Sequence, residues 1–334
     1  MMKHNWALYL TLTVVNACHQ EPEATSQPDF SVGGASPSEC GPITEGAVET
    51  IGCLIGTVGH EHILRIAEMR AHAMTGSEFY TQGMAELATG SGGDSSKDDL
   101  VIGNYSTDKP IYTETFDLAQ WHADLFGVGR EESWHESGAR QMFHSLVNFT
   151  VDDNNPRSLF DREANCTAIR NVMETQTRKG LELVKAGRKQ EGMRLIGSVT
   201  HTIQDSFSRA HTVRSTAADV DDRQFFKYRV WSLDRFCKYG KAVPGVCEHA
   251  LSYDFISELG PLGGPIKPEA RAATDTTTAY LVYVHWMMTG AMSVTDAMSD
   301  FFNGSSRFLT FAKDFYTNRQ ERTVVTVGNF KCTE

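Results

Sequence analysis

Twelve histidines stand in this 334-residue chain, and two of them frame an aspartate at a spacing that a helix converts into a cluster. In Leu195-Ile-Gly-Ser-Val-Thr-His201-Thr-Ile-Gln-Asp205-Ser-Phe-Ser-Arg-Ala-His211, His201 and Asp205 lie four residues apart, hence one turn apart on one helical face. Leu195, Ile196 and Val199 precede them, and Ile203 and Phe207 are interleaved, so much of this helix must be buried. A histidine and a carboxylate buried together need each other or a metal ion. His211, six residues past Asp205, falls near or beyond the helix end and can approach the same cavity.

His4 and His19 belong to the N-terminal leader, which leaves His60, His62, His72, His122, His135, His144, His201, His211, His249 and His285. Neutral imidazole and carboxylate are suitable donors for Zn²⁺. His62, His72 and His122 read as surface or helix-face residues, and His285, beside Trp286 in an apolar run, as a core histidine. Met287, Met288, Met292 and Met298 read as packing residues. The chain has no GxSxG elbow, P-loop or dinucleotide glycine fingerprint, so those chemistries lack their motifs.

The elements that must position these side chains are helical. Apolar spacing predicts helices over 59–69, 79–88, 116–126, 141–149, 161–186 and 190–207, with a break at Gly187-Arg-Lys. Further helices are predicted over 225–236, 248–259, 274–302 and 305–316. Residues 90–112, with Gly90, Gly92, Gly93, Gly103, Asn104 and Pro110, read as irregular. The one hint of β alternation is Thr323–Val327. There is no internal repeat and no heptad, and the expectation is a single all-α domain.

Composition bounds the rest. With 40% hydrophobic and 22% charged residues the chain is globular, and 31 basic against 42 acidic residues give a net charge of −11. That balance argues against a polyelectrolyte grip on nucleic acid, though not against metal-dependent nuclease chemistry. Lys3, the apolar stretch Trp6–Val15 and Val15-Asn-Ala-Cys18 form an export signal (residues 1–18), with a lipobox-like end at Cys18. The apolar run is too short to span a bilayer. Residues 19–43, rich in Pro, Ser, Gly and Glu, read as a flexible tether ahead of a helical catalytic domain over 44–334. Secretion, or anchoring to the cell envelope as a lipoprotein, is therefore expected. Setting Cys18 aside, six of the seven cysteines remain, enough for three disulfides, with Cys40–Cys53 and Cys237–Cys247 as the local pairings.

The 195–211 stretch resembles the central motif of the zinc-dependent phospholipase C and single-strand zinc nuclease superfamily, as does its approach Gln190-Glu-Gly-Met-Arg-Leu-Ile-Gly-Ser198. Gly56-Thr-Val-Gly59-His60-Glu-His-Ile63-Leu-Arg-Ile-Ala67 resembles the segment carrying the first zinc histidine, here His60. Gly103-Asn-Tyr-Ser-Thr-Asp108 resembles a glycine-containing loop ending in a metal-binding aspartate. Phe143-His144-Ser-Leu-Val-Asn148 resembles another ligand segment, and His249-Ala-Leu-Ser-Tyr-Asp254 is the nearest match to the last one.

The resemblance implies an all-α fold holding two or three zinc ions. Asp108, His144, His201 and Asp205 would hold one; His211, His249 and Asp254 a second; His60 and the shared Asp205 a third. Asp108 would double as the base that orients the attacking water. Three differences from the family stand out: Ile55 occupies the place of its N-terminal Trp, the His249–Asp254 spacing is five rather than four, leaving Glu248 as a substitute, and the Asp108–His144 segment is long, leaving His122 or His135 as alternatives. The implied activity is phosphodiester hydrolysis: a phospholipase C acting at a phospholipid surface, or a single-strand nuclease or 3′-nucleotidase. The remaining possibility is a non-catalytic helical lipoprotein that keeps part of the zinc site.

Overall fold

The computed structural model describes residues 59–80, 98–108, 112–113, 116–128, 142–145, 162–207, 213–214, 226–227, 268–319 and 325–331. Its helices are α1 (Gly59–Thr75), α2 (Asp99–Asp108), α3 (Leu118–Phe126), α4 (Arg162–Lys185), α5 (Lys189–Asp205), α6 (Pro268–Met288), α7 (Val294–Phe302) and α8 (Ser306–Asn318), with one 3-10 turn over Glu78–Tyr80. Among the described residues, β structure is confined to two antiparallel ladders of two residues per strand: β1 (Tyr112–Thr113) with β2 (Phe116–Asp117), and β3 (Val213–Arg214) with β4 (Phe226–Lys227). The described residues are mainly helical, as the periodicity predicts.

α5 is the axis of the assembly. Every residue from Gly192 to Asp205 is buried, so the helix is enclosed on all sides rather than lying on a surface. α4 and α5 form an antiparallel hairpin whose turn follows from Gly187. With φ of 84° that residue occupies the left-handed region open to glycine. The Arg188 N–H donates to Leu183 O at 2.9 Å and the Gly187 N–H to Val184 O at 3.0 Å, which closes the end of α4 as a Schellman motif.

On the opposite side α2 crosses α5 at backbone contact. A Cβ on Gly103 would stand 1.9 Å from Arg194 O, and one on Gly197 would stand 2.1 Å from Leu100 O. Only glycine at both positions lets the two backbones touch, and the approach favours Cα–H···O contacts. The crossing is also stitched by Thr107 Oγ1 donating to Ser198 Oγ at 2.9 Å and by an Arg194–Asp99 ion pair at 3.0 Å. The abundance of Gly, Ser and Thr in 197–202 is thus explained by close packing on every face.

α6 covers the far side of α1 and α4. The Tyr80 hydroxyl donates to Leu281 O at 2.7 Å, and Thr177 and Tyr280 share a hydrogen bond of 2.7 Å. Arg70 on α1 pairs with Asp275 on α6 at 2.8 Å, and the same carboxylate accepts the Thr326 N–H at 2.8 Å, which fastens residues 325–331 to the bundle. Phe330 then stacks on Phe301, with ring centroids 5.3 Å apart. Cys166 is disulfide-bonded, and the cysteines of the pairings suggested above lie outside the described residues.

Several expectations are corrected. Residues 99–108 are helical rather than irregular, because Gly103 is used for close approach and Asn104 donates to Thr200 inside the crossing. The helix expected over 274–302 is two helices, broken after Met288 where Gly290 takes φ of 75° and Ser293 caps α7 by accepting the Asp296 N–H at 3.1 Å. The turn is marked by the exposed Thr289, Gly290 and Ser293. Phe226–Lys227, expected in a helix, pairs as a strand with Val213–Arg214. Residues 325–331 carry no regular secondary structure in place of the β alternation expected over 323–327. Residues 1–58, which include the proposed leader and tether, lie outside the described residues. No described helix is long and apolar enough to cross a membrane.

Candidate metal centre

Asp205 closes the last turn of α5 and is 1% exposed, which makes its carboxylate one of the most deeply buried in the described structure. Three imidazoles surround it. His201, one turn earlier on the same helix, places Nε2 3.0 Å from Oδ2. His144, in a short 3-10 turn over 142–144, places Nδ1 3.1 Å from the same oxygen. His60, at the start of α1, places Nε2 3.4 Å from Oδ1. The two carboxylate oxygens therefore face different histidines. The rings also touch: His60 and His201 have centroids 4.3 Å apart, and His144 meets His201 edge-on at 5.1 Å.

Each ligand-bearing segment is fixed to α5 by polar contacts. His144 is held by a reciprocal clamp: Ser145 Oγ donates to Thr202 O at 2.7 Å, and Thr202 Oγ1 donates to Phe143 O at 2.6 Å. Ser145 takes a φ of 52°, a left-handed conformation a serine adopts at a cost, and the clamp is what holds it there. His60 is held from behind, its Nδ1 lying 2.9 Å from Gln204 Oε1. Gln204 Oε1 also accepts from Asn104 Nδ2 of α2 at 3.3 Å, and Asn104 Nδ2 donates to Thr200 Oγ1 at 2.9 Å.

The donor set suits a divalent ion of the zinc type. Two neutral imidazoles, His60 and His201, and the Asp205 carboxylate carry a net charge of −1, and they are ligand types that borderline-soft Zn²⁺ prefers. Ligand atoms of His60, His201 and Asp205 lie within 4.8 Å of one another. Donors about 2.1 Å from a shared ion stand at most about 4.2 Å apart, so these are within a small side-chain adjustment of closing on one. The amide oxygen behind His60 matches the outer partner that metal-bound histidines use to fix ring and tautomer. The residues fit the group.

Of the residues singled out in the sequence, His60, His144, His201 and Asp205 meet at this point. Asp108 closes α2, the helix that crosses α5, and so sits at a helix end rather than in the loop expected of it; its side chain is outside the described residues. His211, His249, Asp254, and the alternatives His135 and Glu248, are outside them as well. His122 is not part of the centre and is not on the surface. It is fully buried, stacked on Phe143 at a centroid distance of 3.6 Å, with Nε2 3.2 Å from Gln176 Nε2. His285 is half-buried rather than a core residue, and burial lowers its pKa. Gln204, Asn104 and Ser145 carried no sequence signal: an amide beside a ligand and an asparagine after a glycine both read as ordinary helix or turn residues.

No protein-family model matches the chain, and neither a curated protein nor a solved structure matches it.

Proposed function

We propose that the protein is a zinc-dependent phosphodiester hydrolase, acting as a phospholipase C on phospholipid head groups. The observation that carries this reading is the convergence of His60, His144 and His201, from three separate segments, on the two oxygens of the buried Asp205. A structural His–Asp contact needs one histidine. Three imidazoles around one carboxylate, two of them on segments held by their own polar contacts, support a cation site.

Zinc bound there would lower the pKa of a coordinated water and neutralise charge on a phosphate. The chain's own part is to keep that chemistry in place. Asp205 would bridge, since its oxygens face different histidines. The enclosed α5 holds His201 and Asp205 without freedom to move and keeps bulk solvent off their backs. Asp108 would take the proton of the attacking water and hold that water in line. His211, His249 and Asp254 would complete a second ion's shell. The export signal read at residues 1–18 and the disulfide at Cys166 would suit a protein matured outside the cytoplasm.

A second reading keeps the same site and changes the substrate. The Gly56-x-x-Gly59-His60 approach is closer to the nuclease pattern, which makes a single-strand nuclease or 3′-nucleotidase the alternative. Metal analysis of the purified chain should find two or three zinc ions per molecule. Parallel assays on phosphatidylcholine vesicles and on single-stranded DNA, with and without chelator, then decide the substrate. Chelator-sensitive cleavage of the lipid supports the phospholipase reading, and cleavage of DNA alone replaces it with the nuclease. A fully zinc-loaded protein that cleaves neither removes the hydrolase reading.

A further inference from the structure

The hydrogen bonds behind His60 run in one direction, and that direction is set at Thr200 rather than at the histidine. The Thr200 hydroxyl hydrogen is committed to Gly197 O at 2.6 Å, so Thr200 Oγ1 can only accept from Asn104. Asn104 must therefore present its NH₂, and the same nitrogen reaches Gln204 at 3.3 Å. Gln204 must in turn present its carbonyl oxygen, and that oxygen lies 2.9 Å from His60 Nδ1. An amide oxygen only accepts, so Nδ1 has to carry the proton. A neutral imidazole protonated at Nδ1 has its lone pair at Nε2, the nitrogen that lies 3.4 Å from Asp205 Oδ1.

Building on the zinc reading of the site, we infer that Gln204 is a positioning residue for metal loading, which, oriented by Asn104 and Thr200, locks His60 in the Nδ1–H tautomer with Nε2 ready to bind the ion beside Asp205. All the members are buried: Asn104, Thr200 and Gln204 are 0% exposed and His60 is 7% exposed. Water cannot easily substitute for a lost link. The relay also explains why α2 and α5 must cross at backbone contact. Asn104 follows Gly103 directly, and only that crossing brings its amide to both Thr200 and Gln204.

The test compares the full-length wild type with Gln204→Leu and Gln204→Glu. Zinc affinity is read by competition with a chromogenic chelator, thermal unfolding is followed in the metal-free state, and the His60 ring is followed by long-range proton–nitrogen NMR on metal-free protein above pH 8. Gln204→Leu removes the acceptor and should weaken zinc binding about 10- to 100-fold. Its His60 resonances should move away from the single Nδ1–H pattern of the wild type. Gln204→Glu keeps an acceptor in the same place and should restore both affinity and tautomer, even where its metal-free stability is as low as that of Gln204→Leu.

Equal loss of affinity in both variants, tracking only metal-free stability, would overturn the positioning role. So would unchanged affinity in a folded Gln204→Leu protein, or a wild-type His60 protonated at Nε2. A wild type that binds no zinc overturns the metal reading itself, and with it the inference; the wild-type arm separates that case from the others.

Discussion

Substituting Gly197 by alanine tests how the centre is built without touching any ligand. The new Cβ would stand 2.1 Å from Leu100 O, whereas ordinary contact begins near 3.4 Å, so α2 and α5 must separate by about 1.3 Å. The obstacle is a backbone carbonyl inside a helix, which cannot swing aside as a flexible side chain would. Overpacking of this kind costs about 1–3 kcal/mol and sometimes more. The upper end applies here, because Gly103 faces the same crossing against Arg194 O and leaves no slack on the other side. About 3 kcal/mol is a large part of the total stability of an ordinary domain. The separation also lengthens the 3.3 Å Asn104–Gln204 contact beyond hydrogen-bonding range, so zinc affinity should fall together with stability. Urea unfolding of the metal-free protein measures the first effect, and chelator competition the second. A Gly197→Ala protein that unfolds within about 0.5 kcal/mol of wild type and binds zinc equally well would refute the close crossing and the support it gives to the site.

Asp205→Asn keeps the side-chain shape but removes the carboxylate that faces all three histidines; it should abolish hydrolysis and lower zinc content, and normal turnover in that variant would sink the assignment. Chelation should lower the thermal midpoint of the wild type and re-addition of zinc restore it, because an ion at 100 times its dissociation constant stabilises the folded state by about 2.7 kcal/mol. A midpoint indifferent to chelator would contradict a loaded site. Burial raises the Asp275 pKa from 3.8 to about 6, against the lowering effect of Arg70, so the folded state holds this proton more tightly than the unfolded chain. Its contribution to stability therefore grows as pH falls from about 6 to about 4, by up to about 3 kcal/mol, and is lost as pH rises through about 6. Asp275→Asn should remove that part of the pH slope in denaturant titrations, and parallel slopes for variant and wild type would show that Asp275 is not the group responsible.

Much of the bundle was legible because its signals are local. The α4–α5 hairpin declared itself through periodicity and the glycine at its turn, and His201 with Asp205 through their spacing. The errors came where meaning depends on a neighbour. Gly103 and Asn104 break an isolated helix but serve one that is pressed against another backbone. The run over 274–302 contains a turn whose exposed Thr289, Gly290 and Ser293 are local signals, masked in the sequence by the methionines and aromatic residues on either side. His122 looked like a surface residue since nothing in 116–126 reveals that Phe143 lies against its ring. His60 and His144 needed family resemblance to be placed beside Asp205, for no periodicity links segments so distant. The relay through Gln204 lay beyond sequence altogether, because the polarity of an amide is decided by what donates to it.

The two helices that frame the centre arrive with opposite ends. α5 finishes at Asp205, so the negative pole of its peptide ladder, equivalent to about half a charge, falls at the end of the helix that carries the carboxylate. α1 begins at Gly59 and His60, so it offers the partial positive charge of its first amides nearby. A cation and an anion brought to this point each find a backbone pole of the sign they need. The polarity belongs to chain direction rather than to any side chain. It survives every substitution that leaves the helices intact.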